Sequence, residues 1–251
     1  MFIHFTILLI CLLVSVSFYS LFERKRLRLM HLRQGPAIVR VSGILQPFRD
    51  AIKLFTNEIV APLSYNFYLY VMTPSLAILR SLGCWIVLPY SAGVIRLKYC
   101  VLLFFVFTTL GVYAHLGAGW RSNSNYALIG SLRSVAQRVS YEVRFAFLLI
   151  LLIFLVLKFN LSYSKALQED VYFLGLIPVV AGMWLISSLA ETNRAPFDFA
   201  EGESELVSGF NIEYGRTIFA ILFIGEYGRM IFISMLFGTL FLGGRSLEAT
   251  R

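Results

Sequence analysis

Long apolar runs separated by short charged stretches set the pattern of this chain. The runs approach the roughly 20 residues that a helix needs to cross the hydrocarbon core of a bilayer. They predict an all-α polytopic membrane protein with six spans, near 2–22, 68–90, 99–119, 143–159, 171–190 and 217–243. The fourth is short and extends backwards into 138–142. Pro74 and Pro89 in the second predict kinks or a ragged end. Between the first two spans, LQPFRDAIKLF (45–55) places Leu45, Phe48, Ile52 and Phe55 at helical spacing, with Arg49, Asp50 and Lys53 mainly on the other side. That pattern is an amphipathic helix lying along the interface. The first run, Phe2 to Phe22, has no basic residues before it and exceeds the h-region of a signal peptide, so it reads as a retained helix. There is no internal repeat, and 1–251 reads as a single transmembrane domain.

Composition agrees: 58% of residues are hydrophobic and 14% charged, with a mean hydropathy of +0.76. The net charge of +8 does not point to nucleic acid, because Lys and Arg sit mainly in the connections between spans. The connections 23–67, 120–142 and 191–216 carry 13 of the 22 cations, and those on the opposite face carry 6. The bias places the first face inside and the N-terminus outside. Cys11, Cys84 and Cys100 lie in or beside apolar runs without CxxC spacing, and no phosphate-binding glycine loop is present. The chain has no thiolate set for an iron–sulfur cluster or zinc, so any redox cofactor belongs to a partner. His4, His31 and His115 are scattered and read as structural or interfacial.

Candidate chemistry concentrates in ETNRAPFDFAEGESELVSGFNIEYG (191–215). Glu191, Asp198, Glu201, Glu203, Glu205 and Glu213 are six of the 14 carboxylates in the chain. Crowded carboxylates disfavour full ionisation, so such a set can hold and pass protons. A solvated acidic loop is the plainer alternative; Phe197, Phe199, Leu206, Val207 and Phe210 interleave with the acids and favour burial. Gly202 and Gly209 make a continuous helix improbable, and irregular backbone at a membrane is tolerated where it lines a cavity or is buried in protein. Glu226 lies inside the last span, one turn before Arg229, and the two can pair. Either a structural ion pair or a link in a proton path fits it. Glu142 precedes the fourth span as an interfacial charge, and Arg80 lies within the second without a nearby acid in sequence. The run Glu23-Arg24-Lys25-Arg26-Leu27-Arg28 reads as a basic stop and headgroup anchor.

The acid-rich segment resembles, nearly residue for residue, a signature of subunit 1 of the proton-pumping NADH:quinone oxidoreductases, respiratory complex I. ERKRLRLMHLRQGP (23–36), LQPFRDAIKLF (45–55) and SNSNYALIGSLRSVAQRVSYE (122–142) are similar to other elements of that family, in the same order. The resemblance covers the chain from its first span to its last. It implies a membrane subunit at the junction with the peripheral arm, helping to form the tunnel for ubiquinone and coupling quinone reduction to proton translocation. Carried over, Arg24, Asp50, Lys53 and Phe223 match positions near the tunnel. Glu191, Asp198, Glu201, Glu203 and Glu205 match the acid-rich junction, and Glu142, Glu213 and Glu226 the membrane proton path. Gly35 and Pro36 match the turn after the first span.

The same resemblance places NADH, FMN and the iron–sulfur clusters in partner subunits, leaves ubiquinone as substrate, and makes the chain a non-redox subunit of the enzyme. It implies as partners the subunit carrying the terminal cluster, neighbouring small membrane subunits and lipid. It implies the mitochondrial inner membrane, with the N-terminus in the intermembrane space and the signature loops on the matrix side. Ala37, Arg26, Arg28 and Gly215-Arg216 depart from the usual pattern, and the chain stops before two helices usual in the family. A second polypeptide supplying those helices is the expectation. The competing readings are the equivalent subunit of a membrane-bound hydrogenase and a stand-alone secondary transporter.

Overall fold

The computed structural model describes residues 2–36, 43–56, 66–88, 98–122, 124–168, 171–199, 202, 209 and 214–244. Among these there is no strand. A spanning segment must satisfy its backbone polar groups internally, and a helix does so with every bond inside one run. The helices are α1 (Phe2–Met30), α2 (Gln46–Thr56), α3 (Phe67–Cys84, followed by a tighter turn Trp85–Val87), α4 (Cys100–Ser122), α5 (Asn125–Val156), α6 (Leu161–Leu167), α7 (Phe173–Leu176), α8 (Pro178–Glu191) and α9 (Arg216–Phe241).

Five of these are long and apolar enough to span a membrane, falling within α1, α3 with its terminal turn, α4, α5 and α9. The predicted span 171–190 is the exception. Pro178 has no N–H to donate and sits at the start of α8, with Ile177 in a non-helical conformation between α7 and α8. What remains is a helix of 14 residues, about 21 Å long at 1.5 Å per residue. Pro74, by contrast, lies inside a continuous α3; the ragged end comes later, where Trp85–Val87 tightens.

Two other boundaries also moved. α1 runs through the basic stretch to Met30 rather than ending near residue 22, and leaves the helix with Leu32 at φ 50°. The turn therefore precedes Gly35, whose role is room: a methyl there would stand 3.0 Å from Arg28 Cδ. α5 begins at Asn125, so most of the expected connection 120–142 is helix. Its buried residues Ala127, Gly130, Ser131, Ser134, Gln137 and Arg138 recur at three- and four-residue steps and continue into Phe145, Leu148, Leu149 and Leu152. The first half of that face is small rather than greasy, which lets α4 approach closely; a methyl on Gly119 would collide with Ser131.

α3 packs against α4 and α9, α4 against α5, and α5 against α8, while α1 lies along α9. Only 17% of the apolar window of α1 is buried within the chain, against 50% for α3, so α1 is peripheral to this bundle. The interfacial helix α2 matches the expected segment and is tied to α1 by an edge-on contact of Phe48 with Phe18.

The main core joins α3, α4, α5, α8 and α9 around Trp184, which is fully buried between Phe145 (ring centroids 4.4 Å apart) and Phe241 (6.0 Å). Truncating it leaves a cavity that the surrounding rings cannot close. Trp184→Ala is expected to cost about 3–5 kcal/mol, read as a lower midpoint when the detergent-solubilised protein is unfolded by SDS titration. An unchanged midpoint would contradict this packing.

Candidate functional site

Three polar groups stand out in the bundle, at different degrees of burial. The outermost joins α1 to α2. Arg24 Nη1 donates to Asp50 Oδ2 at 3.0 Å, and Gln46 Nε2 donates to Asp50 Oδ1 at 2.8 Å. Both members of the pair are well exposed. Lys53, on the same helix, is exposed and does not join them.

The second group sits one residue earlier on α1. Glu23 is not a headgroup anchor but turns inward. Arg194 Nη1 donates to Glu23 Oε1 at 2.9 Å, and the Tyr227 hydroxyl donates to Glu23 Oε2 at 2.8 Å. Burial works to lower the Arg194 guanidinium. Its hydrogen bond with Tyr227 and the charges of Tyr227 and Glu23 outweigh that and hold it above its ordinary value. Phe223 stacks on Tyr227 with ring centroids 5.5 Å apart. Glu23 and Arg194 border a cavity of about 460 Å³ between α1, α8 and α9, walled by Tyr19, Phe22, Leu185, Met230 and Phe237 among others. A wider groove of about 940 Å³ beside α3 and α9 is aliphatic and has no charged residue. The smaller cavity, apolar with an ionised edge, is the one suited to a molecule with a hydrogen-bonding head and an apolar tail.

The third group is buried. Glu191, the last residue of α8, contacts Arg229 on α9 in an ion pair with both side chains nearly sealed from solvent. Arg229 is therefore the partner of Glu191 and not of Glu226, the helical neighbour expected from spacing. Oε2 of Glu191 and Nη1 of Arg229 find no further partner among the described residues. Glu142, on α5, accepts a hydrogen bond from Thr108 Oγ1 of α4 at 2.8 Å, so it belongs to the helix interior rather than the interface. Glu226 lies within electrostatic reach of Arg138, Arg80, Arg194 and Asp198.

The start of the acid-rich segment is held against α5. Gln137 Nε2 donates to the carbonyls of Ala190 and Phe197, both at 2.8 Å, and Tyr141 packs edge-on against Phe197. The far end is held at Tyr214. The Arg121 guanidinium lies 3.6 Å from the Tyr70 ring centre and 4.3 Å from that of Tyr214. Thr73 Oγ1 and the Tyr214 hydroxyl share a hydrogen bond of 2.6 Å. Burial pushes the Tyr214 hydroxyl above its usual value, against the opposing pull of Thr73 and Arg121. Glu201, Glu203, Glu205 and Glu213 lie outside the described residues; Asp198 is half-buried. Gly35 and Pro36 are half-buried, Gly35 against Arg28.

Several of these residues escaped the reading of the sequence. Glu23 was hidden in a basic run, where its lone negative charge was the available signal. Arg121 and Arg138, expected in a connection, are instead 1% and 3% exposed on helices α4 and α5. Gln137 and Arg138 fall on the small-residue face of α5, which apolar counting passes over.

A family model described as NADH dehydrogenase matches residues 3–250. NADH-ubiquinone oxidoreductase chain 1 of Locusta migratoria is 50% identical over 96% of this chain and 77% of its own length. The same-named proteins of Anopheles gambiae and Tetraodon nigroviridis are 48% and 47% identical, over 94% and 92% of this chain and 76% and 71% of theirs.

The chain belongs to the NADH dehydrogenase family, among the chain 1 subunits of NADH-ubiquinone oxidoreductase. As a complex I membrane subunit it carries its ionic contacts at very different depths, and their energies should differ accordingly. Removing one partner of the sealed Glu191–Arg229 pair strands the other charge, so Glu191→Gln is expected to cost about 3–5 kcal/mol. Asp50→Asn breaks an exposed pair and is expected to cost at most about 1 kcal/mol. SDS-titration unfolding of the two variants side by side checks this order, and equal losses would contradict it.

Proposed function

We propose that this chain couples quinone reduction to proton movement, with the Glu23–Arg194 cavity as part of the quinone's approach and the buried acids as the start of the proton path. The observation that carries the reading is the charged interior. Glu142, Glu191 and Glu226 stand with Arg80, Arg138 and Arg229 inside a bundle whose exterior is apolar. Charges inside a membrane are expensive and are retained where ions or protons move.

Quinone reduction takes up electrons and protons together. The electrons come from a partner's cluster, since this chain has no thiolate set of its own. Negative charge developing on the quinone head near Arg194 would draw on Glu23 and the acids of 198–213. A shift of charge there is felt at Glu226, which lies in the fields of Arg194 and Asp198. From Glu226 the disturbance passes towards Glu142 on α5. Arg24 and Asp50 fix α2 against α1 at the outer edge of this route, and Phe223 supports Tyr227.

The names of the relatives favour the respiratory enzyme over a hydrogenase, and with it the mitochondrial inner membrane, the other subunits of that enzyme as partners and ubiquinone as substrate. The signature segment belongs on the matrix side in this reading.

In the assembled complex, Glu226→Gln keeps the shape of the side chain and removes its proton exchange. The expected outcome is a marked loss of protons translocated per electron, measured in proteoliposomes with NADH and a ubiquinone analogue. Unchanged pumping at normal electron transfer would remove Glu226 from the path.

A further inference from the structure

The carboxylate path leaves two sealed cations without a task. Arg80 on α3 is 2% exposed and Arg138 on α5 is 3% exposed. Nε and Nη1 of each guanidinium find no acceptor among the described residues. Space is kept for one of them: a methyl on Gly111 of α4 would collide with the Arg80 guanidinium. A buried guanidinium needs both opposing charge and acceptors for its N–H groups.

The charge is present. Glu226 and Glu142 both act on Arg80 and on Arg138, and Arg80 acts on Arg138. Two other buried arginines are already engaged: Arg229 is in contact with Glu191, and Arg121 lies against the rings of Tyr70 and Tyr214. Among Arg80, Arg138 and Arg229 and the acids Glu142, Glu191 and Glu226, one pair is thus joined directly. Two cations and two anions remain, drawn from α3, α5 and α9, with no direct ion pair among them within the described residues. His115 and Cys84 also border the set. Opposite charges near one another, with cation donors that meet no acceptor among the described residues, define a polar space that water can bridge, since water needs several polar partners to occupy an interior.

We propose that Arg80 and Arg138 are positioning residues that bind internal water and, through it, hold Glu142 and Glu226 in one hydrogen-bonded set across three helices. The inference rests on the reading of those two acids as proton carriers. The arginines keep both carboxylates inside the bundle, and their spare donors orient the water between them. Arg supplies this through a planar fork of several donors; a lysine supplies charge without the fork.

The test uses the assembled complex carrying Arg80→Met, Arg80→Lys, Glu226→Gln or the double variant Arg80→Met/Glu226→Gln. Two quantities are read: the amount of complex assembled, and protons translocated per electron in proteoliposomes. Arg80→Met is expected to lower assembly, and the double variant to recover it, because charge is then removed in balance. Arg80→Lys is expected to restore assembly but to retain a loss of protons per electron. Full restoration of both by lysine, or wild-type assembly and pumping in Arg80→Met, overturns the inference. So does failure of the double variant to recover assembly. Unchanged pumping in Glu226→Gln alone overturns the proton-path reading instead, and the assembly comparison still decides the pairing.

Discussion

A charge inside a bilayer must be compensated within the protein, and much of this chain's arrangement serves that requirement. Water is not available to solvate Arg229 or Glu191 where they sit, so they solvate each other. The contact ties the end of α8 to the middle of α9. Gln137 then holds the following turn to α5 through two carbonyls. The short α8, too short to cross the bilayer alone, is fixed at the start of the acid-rich segment by polar contacts rather than by its length.

The same requirement grades the ionic contacts by depth. Arg24 and Asp50 meet at the exposed edge, where solvent screens them and their worth is geometric, binding α2 to α1. Glu23 and Arg194 are half-buried at the rim of an apolar cavity. There a charge can meet a ligand's head while the ligand's body stays in apolar surroundings. Glu142 and Glu226 are half-buried as well, in the fields of arginines with which they form no ion pair among the described residues. The Glu191–Arg229 pair is the sealed end of this series. The wider aliphatic groove beside α3 offers more volume and no such charge, so size alone does not identify the site.

Much of this was legible in the residues. Hydropathy located most of the long helices and periodicity located α2; of the six carboxylates of 191–213, Glu191 and Asp198 fall among the described residues. Proline defeated the fifth span, because one missing donor at Pro178 divides a run that composition alone treats as continuous. Small residues concealed the first half of α5, since Gly130, Ser131 and Ser134 carry little hydropathy yet form a close-packed face. Pairing was the least legible. Glu226 and Arg229 are neighbours by helical spacing, but the buried partner of Arg229 comes from 38 positions earlier in the chain, as the numbers 191 and 229 show. Tertiary approach decided what local spacing left open.

The membrane-embedded charges of this chain face one another inside the bundle. A cryo-EM map of the assembled complex, sharp enough to show side chains and ordered water, tests it most directly. Glu191 is expected in contact with Arg229, and Arg80 and Arg138 turned inward towards Glu142 and Glu226 with water density between them. Guanidinium groups reaching out to lipid headgroups, or Glu191 standing open to bulk water, would contradict it.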